Sequence, residues 1–258
     1  MSDIKDELAE AREARRQMVA QANDFIRHVR IHLTAQEQNM LYFFISKVRP
    51  KDKNFLRIMF SVKEFCKVCG MDYNGKNNRD IKKALKSLAD KSAWAELEEG
   101  AETLIRWVDT YTIWQDSGAM VAVLSQSLEP FLLRLIEKGN YTQAELVTFL
   151  AMRSMYSKRL YEILKSYQHK SYGLTVKEFE LDRLKELLNA EKYERYPDFR
   201  RKVLEIAMME INECTDIEVS YTALKTGRKY DKISFSIQRK QPVERHAAYT
   251  LAETKLDT

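Results

Sequence analysis

Glycine and proline are scarce in this chain, seven and four in 258 residues. So few turn-formers argue against a loop-rich all-β fold and for a helix-rich one. Cysteine is scarcer still. Cys66, Cys69 and Cys214 are too few, and odd in number, for a disulfide framework, as expected in a reducing compartment. No apolar run approaches the length of a membrane span, and the N-terminal "MSDIKDELAEAREARRQ" is too charged for a signal peptide. A cytoplasmic protein is expected.

Catalytic motifs are missing too. The four histidines, His28, His32, His169 and His246, include no adjacent pair to hold the metal of a tyrosine-dependent nickase. "YNGKNN" and "KTGRK" lack the spacing of a phosphate-binding G-x-x-x-x-G-K-[ST] loop, and there is no H-E-x-x-H. Cys66 and Cys69 have C-x-x-C spacing, but a structural zinc site usually needs four ligands. "FCKVCG" reads instead as the apolar side of a short helix. The expectation is a protein that is not an enzyme and uses no cofactor or metal.

What is present is a globular composition, 45% hydrophobic and 31% charged, enough for one large domain or two ordinary ones. The net charge of +5 is mild, but its distribution is uneven. Tyr73 to Lys91 holds six basic and two acidic residues, and Val147 to Lys170 five and one. Trp94 to Asp116 reverses the balance, with one basic and six acidic. Such surfaces suit a polyanion on some faces only.

One word nearly repeats, "SVKEF" at 61–65 and "TVKEF" at 175–179. Each reads as a helix start, with Ser61 or Thr175 as N-cap and Glu64 or Glu178 completing a capping box. Phe60 with Phe65, and Leu174 with Phe179, would staple the turns. "FLRIMF" and "SYGLTV" precede them as short β-like runs. Two further boxes, Thr34/Glu37 and Thr142/Glu145, open helices ahead of these words. Downstream lie "RDIKKALKSLAD", with Ile81, Leu85 and Leu88 on one face, and "FRRKVLEIAMMEINE", with Phe199, Val203 and Ile206. β-rich sequence follows each: "WAELEEGAETLIRWVDTYTIW" running through "QDSG" into "AMVAVLS", and "DIEVSYTALKTGRKYDKISFSI".

The order helix, strand, helix, turn, helix, hairpin, twice over, predicts an α+β fold of two tandem winged helix-turn-helix domains. The divisions expected are a helical extension over 1–30, a first winged helix over 31–138, a second over 139–240, and a polar, mobile tail over 241–258. In the extension Ile4, Leu8, Ala11, Met18, Ala22, Phe25 and Val29 follow heptad spacing broken by Arg15. That suits a helix–helix contact or a single amphipathic helix on the first domain.

In a winged helix the third helix can enter a major groove and the hairpin can touch the flanking backbone. In the second unit Phe199, Val203, Ile206 and Ile211 point inward, which leaves Arg201 and Lys202 outside with Arg200 at the flank. Arginine there suits guanine O6 and N7. Lys225, Arg228 and Lys229 surround Gly227 at the hairpin tip, a composition that fits phosphate or a minor groove. Ser154, Lys158 and Arg159, at a helix start, are candidate phosphate contacts. In the first unit Lys76, Asn77, Asn78, Arg79, Lys82, Lys83 and Lys86 form a basic, amide-rich stretch. Its hairpin is acidic, with Glu96, Glu98, Glu99, Glu102 and Asp109, and should not lie on DNA. The second unit is therefore expected to read sequence most strongly.

Four stretches resemble the iteron-binding initiators of theta-type plasmid replication. "MVAQANDFIRHVRIHLTAQEQNMLYFFISKV" is similar to that family's N-terminal signature, and "RSMYSKRLYEILKSY" to its serine-tyrosine-basic helix. "FRRKVLEIAMMEINECTDIEVSY" resembles the third helix of its second winged helix, and "KTGRKYDKISFSI" its wing and last strand. The resemblance implies binding of direct repeats in a plasmid origin as a monomer and opening of adjacent A+T-rich DNA. It also implies recruitment of the host initiator and replicative helicase, with no catalytic activity. Dimers joined mainly through the first winged helix would bind an inverted repeat and repress the protein's own gene. By position it implies Arg200, Arg201 and Lys202, Arg228 and Lys229, and Ser154, Lys158 and Arg159 as contacts. The acidic first hairpin departs from this pattern. A winged-helix transcriptional repressor without an initiator role is the alternative.

Overall fold

A threonine followed three residues later by a glutamate starts the helix at the centre of the molecule. The computed structural model describes residues 2–98, 101–168 and 173–257. In it Thr34 Oγ1 accepts the Glu37 N–H at 3.3 Å, while Glu37 Oε2 accepts the Thr34 N–H at 2.7 Å. Two of the free donors at the helix start are thereby met. Glu99, Gly100, His169, Lys170, Ser171 and Tyr172, which belong to runs read above, lie outside the described residues.

Helix α1 (Ser2–Arg15), strand β1 (Met18–Ala22) and helix α2 (Asn23–His28) precede the capped helix α3 (Ala35–Ser46). Met40 through Ser46 are all buried, as in a helix enclosed on every side. Next come β2 (Ile58–Ser61), α4 (Val62–Val68), α5 (Gly75–Asp90), β3 (Ser92–Glu98), β4 (Ala101–Arg106), β5 (Val108–Ile113) and β6 (Ala119–Leu124). Short helices α6 (Glu129–Leu132) and α7 (Leu135–Lys138) lead into the second half. That half contains β7 (Tyr141–Glu145), α8 (Leu146–Ala151), α9 (Met155–Tyr167), β8 (Thr175–Glu180), α10 (Leu181–Leu187) and α11 (Tyr196–Phe199). A π-helical turn, Arg200–Leu204, joins α11 to α12 (Glu205–Cys214); β9 (Ile217–Thr226), β10 (Lys229–Arg239) and α13 (Pro242–Asp257) follow.

The two halves share one plan. Sheet β2-β6-β5 matches sheet β8-β10-β9, all antiparallel, with the last two strands in each forming a hairpin. Helices α4 and α10 are both seven residues long and start and end 119 positions apart, 62 to 181 and 68 to 187. Their ends are built alike. Gly70 (φ 63°) donates to Lys67 O and Met71 to Cys66 O, while Asn189 (φ 53°) donates to Glu186 O and Ala190 to Lys185 O. Glycine and asparagine tolerate the left-handed turn that closes such a helix. Gly70 has a further constraint, since a Cβ there would lie 2.4 Å from Leu256 O.

The repeated word is therefore not the structural repeat. Ser61 does cap α4, accepting the Glu64 N–H at 3.0 Å, and Phe60 packs near Phe65 with rings 6.4 Å apart. Thr175 and Glu178, 114 positions beyond 61 and 64, lie instead within β8, and the position equivalent to Ser61 is Glu180. Sheet pairing overrides the cap because Phe179 sits opposite Ile233 and packs edge-on against Phe235 and Tyr167. Leu174 is left 63% exposed, with no staple to make. Thr142 and Glu145 are likewise in a strand, β7, where the Thr142 hydroxyl donates to Asn23 Oδ1 at 2.6 Å.

Three further expectations change. Met18–Ala22 leaves the heptad pattern to pair antiparallel with β7 of the other half. The 241–258 segment is not a loose tail, since Pro242–Asp257 is helical with Ala248, Ala252 and Leu256 buried at four-residue spacing. The first half has two hairpins. β3–β4 is a separate two-stranded insertion carrying Glu96, Glu98 and Glu102, whereas the wing equivalent to β9–β10 is β5–β6. Cys66 and Cys69 are buried free thiols on and just after α4. Burial pushes Cys69 up to about 12.

Two arginines join the halves. Arg159, 1% exposed, donates Nη2 to Ile26 O and Val29 O at 2.6 Å each, Nη1 to Glu162 Oε2 at 3.2 Å and Nε to Leu187 O at 3.4 Å. It thus ties α9 to the end of α2 on one side and of α10 on the other. Arg15, also 1% exposed, donates to Lys67 O, Val68 O and Leu256 O and to the carboxylates of Glu253 and Asp257. That binds α1 and α4 to α13. Tyr42 of α3 stacks on Phe149 of α8 with ring centroids 4.3 Å apart.

Arg159→Met should lower unfolding stability by about 3–5 kcal/mol, the cost of leaving a buried partner charge and carbonyls unmet. Urea denaturation measures this. A loss under 1 kcal/mol would mean the junction is held by apolar packing instead.

Candidate nucleic-acid interface

The third helix of the second half presents its polar face because the other face is filled. Phe199, Val203, Leu204, Ala207 and Ile211 are all fully buried. Arg200, Arg201 and Lys202 fall in the intervening π turn and stay exposed, the first two with 54% and 67% of their side chains accessible. π turns insert a residue and recur at functional sites. Arg200 pairs with Glu205 at 3.1 Å and Arg201 with Asp198 at 3.3 Å. Such exposed pairs are weak enough to exchange for phosphate or a base edge.

The wing is fastened to this helix by tyrosines that the sequence reading missed. Tyr196, at the start of α11, stacks on Tyr230 of β10 with centroids 4.1 Å apart and planes 29° apart. It also shares a hydrogen bond with Tyr221 of β9. Burial, with Tyr221 beside it, pushes the Tyr196 phenol up to about 12. Aromatics at both flanks of the basic segment were the available signal, but their partners are 25 and 34 residues away (196 to 221 and to 230). At the tip Gly227 takes φ 63° in open space, and Arg228 and Lys229 are exposed beside it. Lys225 is also exposed, with its ammonium 4.5 Å from the Tyr230 ring centre.

The preceding helix departs from expectation. Ser154 caps α9, its hydroxyl accepting from the N–H groups of Tyr156 and Ser157, and remains half-buried. Glu210 of α12 accepts the backbone N–H groups of Arg153 and Ser154 at 2.9 and 3.1 Å. A carboxylate therefore already sits at this positive helix end. Lys158 and Arg159 are each 1% exposed and face inward, so neither reaches DNA in this structure. Lys158 donates to the carbonyls of Phe149 and Met152, closing the break between α8 and α9. Burial lowers its pKa to about 8. The basic run misled because charge and an amphipathic pattern do not reveal which cations are spent on backbone carbonyls.

In the first half α5 buries Ile81, Ala84, Leu85 and Leu88. Lys76, Arg79, Lys83 and Lys86 are exposed, while Asn77, Asn78 and Lys82 are half-buried. Asn74 caps the helix through the Asn77 N–H at 2.9 Å, and the Asn77 amide donates to Asp72 O at 2.7 Å. Lys82 donates to Gln115 O and Oε1, both at 3.3 Å, linking the helix to the tip of the β5–β6 wing. Asp109 is exposed on that wing and accepts the Gln126 N–H.

The described residues thus place two helix-turn-helix frames in one body, each with a basic outer helix face. A family model described as Initiator Replication protein, WH1, matches residues 18–165. A second, Initiator Rep protein, WH2, matches residues 180–237. A curated relative from Escherichia coli named PI protein is 32% identical over 155 residues, 54% of this chain and 48% of that protein. The chain thus spans about half the length of that relative. Among solved structures, a crystal structure of Pi initiator protein in complex with iteron DNA aligns with a TM-score of 0.72 at 20% identity. The alignment covers 88% of this chain and 99% of that one. A likeness at that identity establishes the fold, two winged helices in tandem.

Two outcomes are expected. Arg201→Ala should lose about 1–3 kcal/mol on the specific site and little on random DNA, whereas Lys229→Ala should weaken all DNA and lower the salt slope by about 0.9. Quantitative binding at several salt concentrations separates them, and equal losses for Arg201→Ala on both DNAs would make it a phosphate contact. For Tyr196, ionisation in the unfolded chain near pH 10 precedes ionisation in the folded one near 12. Its contribution is present below pH 10 and lost as pH rises towards 12. The stability of Tyr196→Phe should therefore fall less steeply over that interval than that of the unaltered protein, and parallel curves would count against the assignment.

Proposed function

The chain belongs to the Initiator Replication protein family, and from that premise we propose that it is a sequence-specific double-stranded DNA-binding replication initiator for direct repeats, iterons, in a plasmid origin. The observation that carries this is the pair of unlike, basic helix faces, α5 and the α11–α12 segment, set in equivalent frames 119 residues apart (62 to 181). Unlike readers in one chain suit a direct repeat spanning successive major grooves better than a simple palindrome. The relative solved as Pi initiator protein with iteron DNA supports the same choice of ligand.

In this reading Arg200, Arg201 and Lys202 address base edges and adjacent phosphates. Lys225, Arg228 and Lys229 hold the flanking backbone. Lys76, Asn77, Asn78, Arg79, Lys82, Lys83 and Lys86 serve the first half in the same way, and the Ser154 hydroxyl can still donate to a phosphate. The protein acts by binding and by helping to open adjacent A+T-rich DNA, then gathers the host initiator and replicative helicase. It performs no catalysis itself. A dimer formed mainly through the first winged helix would bind an inverted repeat and repress its own gene.

Footprinting on DNA tiling the region around the protein's own gene, at physiological salt with excess competitor, is the test. Several evenly spaced protected direct repeats are expected. Protection of one inverted repeat alone would make the protein a repressor, and no protection would refute the DNA-binding reading.

A further inference from the structure

Among the described residues, strand β7 has only β1 beside it in its sheet. Asn23 N–H bonds Asn140 O at 3.0 Å and Leu146 N–H bonds Gln17 O at 2.9 Å, which fixes the register with β1. In an antiparallel pair the bonding residues alternate. Residues 140, 142, 144 and 146 therefore face β1, and Tyr141, Gln143 and Glu145 turn their N–H groups the other way. That side opens on a groove of about 800 Å³ lined by every residue from Gly139 to Glu145. Lining by all of them, rather than every second one, means the groove runs along the strand edge and not one face of it.

The far wall comes from the end of α9, the root of the β9–β10 hairpin and the first turns of α13. Asp216 in that wall is already engaged, by the Tyr161 hydroxyl at 2.8 Å and by Lys165. Arg239, Arg245 and His246 line the opening together with Glu145. Burial raises the Glu145 pKa, while Arg16 and Arg245 act to lower it. Lys165, Arg239 and Arg245 against Asp216 and Glu145 leave the lining with an excess of positive charge, which favours an acidic ligand. The opening also lies at the hairpin root, about 36 Å along the strands from the Gly227 tip at ~3.3 Å per residue.

We propose that the open edge of β7 is a strand-addition site for an extended acidic segment of a protein partner, accessible while the wing tip and α11–α12 face are occupied. Main-chain bonds to Tyr141, Gln143 and Glu145 supply affinity, and Arg245 supplies the preference for acidic side chains. Nucleic acid has no backbone ladder to offer such an edge.

The test titrates the full-length ¹⁵N-labelled protein with two six-residue capped peptides, alternating Glu-Val and alternating Lys-Val. The Glu-Val peptide should bind and slow exchange of the Tyr141, Gln143 and Glu145 amides about tenfold, and the Lys-Val peptide should not. Gln143→Pro removes one outward donor while leaving pairing with β1, and should abolish binding. Arg245→Glu, at a half-buried position in the first turns of α13, should weaken it about tenfold and serves if the proline variant fails to fold. Equal binding of both peptides, full binding by Gln143→Pro or Arg245→Glu, or no binding at all would overturn the proposal. So would displacement by inorganic phosphate or a short DNA duplex without change at the three amides, which would mark an anion site.

Discussion

The guanidinium of Arg159 is the constraint on which the arrangement of the two halves depends. It lies in the interior and donates to backbone carbonyls, those of Ile26 in α2, of Val29 just after it and of Leu187 at the end of α10. A buried cation is tolerable only when paired and fully hydrogen-bonded, and Glu162, one turn along α9, supplies the charge. Glu162 in turn accepts Gln21 Nε2 from β1 at 2.6 Å. One helix thus carries a polar hub whose partners come from both halves. Rotating either half against the other would strand charged and polar groups, so the angle between them is fixed by satisfaction of those groups. Arg15 repeats the device at the periphery, between α1, α4 and α13.

The basic helix of the second half is positioned from this hub, and that of the first half from α3. α10 ends beside Arg159 and leads through its left-handed Asn189 turn to α11, whose Tyr196 holds the wing by stacking on Tyr230. α5 packs on α3, where Glu37 accepts from Lys91 and Ser87 as well as from its own cap. Burial would raise the Glu37 pKa, but the hydrogen bonds from Lys91, Ser87 and Thr34 win and hold it below the usual value. Cations on α5, the π turn and the β9–β10 tip lie outside these interior bonds and face solvent.

Much of the fold was legible in the sequence because it rests on local signals. Thr34 with Glu37, Ser61 with Phe60 and Phe65, and the spacing of Ile81, Leu85 and Leu88 all act within a few residues of themselves. The errors come from long-range pairing. Thr175 and Thr142 have the chemistry of caps, yet β10 and β1 recruit them into strands. Met18–Ala22 fits a heptad on paper, but its strand partner is more than 110 residues away. Arg15 looked like a flaw in an apolar stripe and is instead the clasp to α13. Among the candidate contacts, Arg201 was placed outward by its buried neighbours, whereas Lys158 and Arg159 were not. Their carbonyl acceptors lie in a helix break and a distant loop that no spacing reveals.

A rigid junction would hold the two basic helix faces at one spacing on DNA. Its most direct test measures affinity for a single repeat as one to five base pairs are inserted between the segments read by α5 and by α11–α12. Five base pairs turn one segment about half a helical turn away from the other. The account predicts that affinity falls with the first insertions to that of one half alone, and that it does not recover by five. Affinity that stays level across the series would contradict it, because two freely jointed readers would then serve as well.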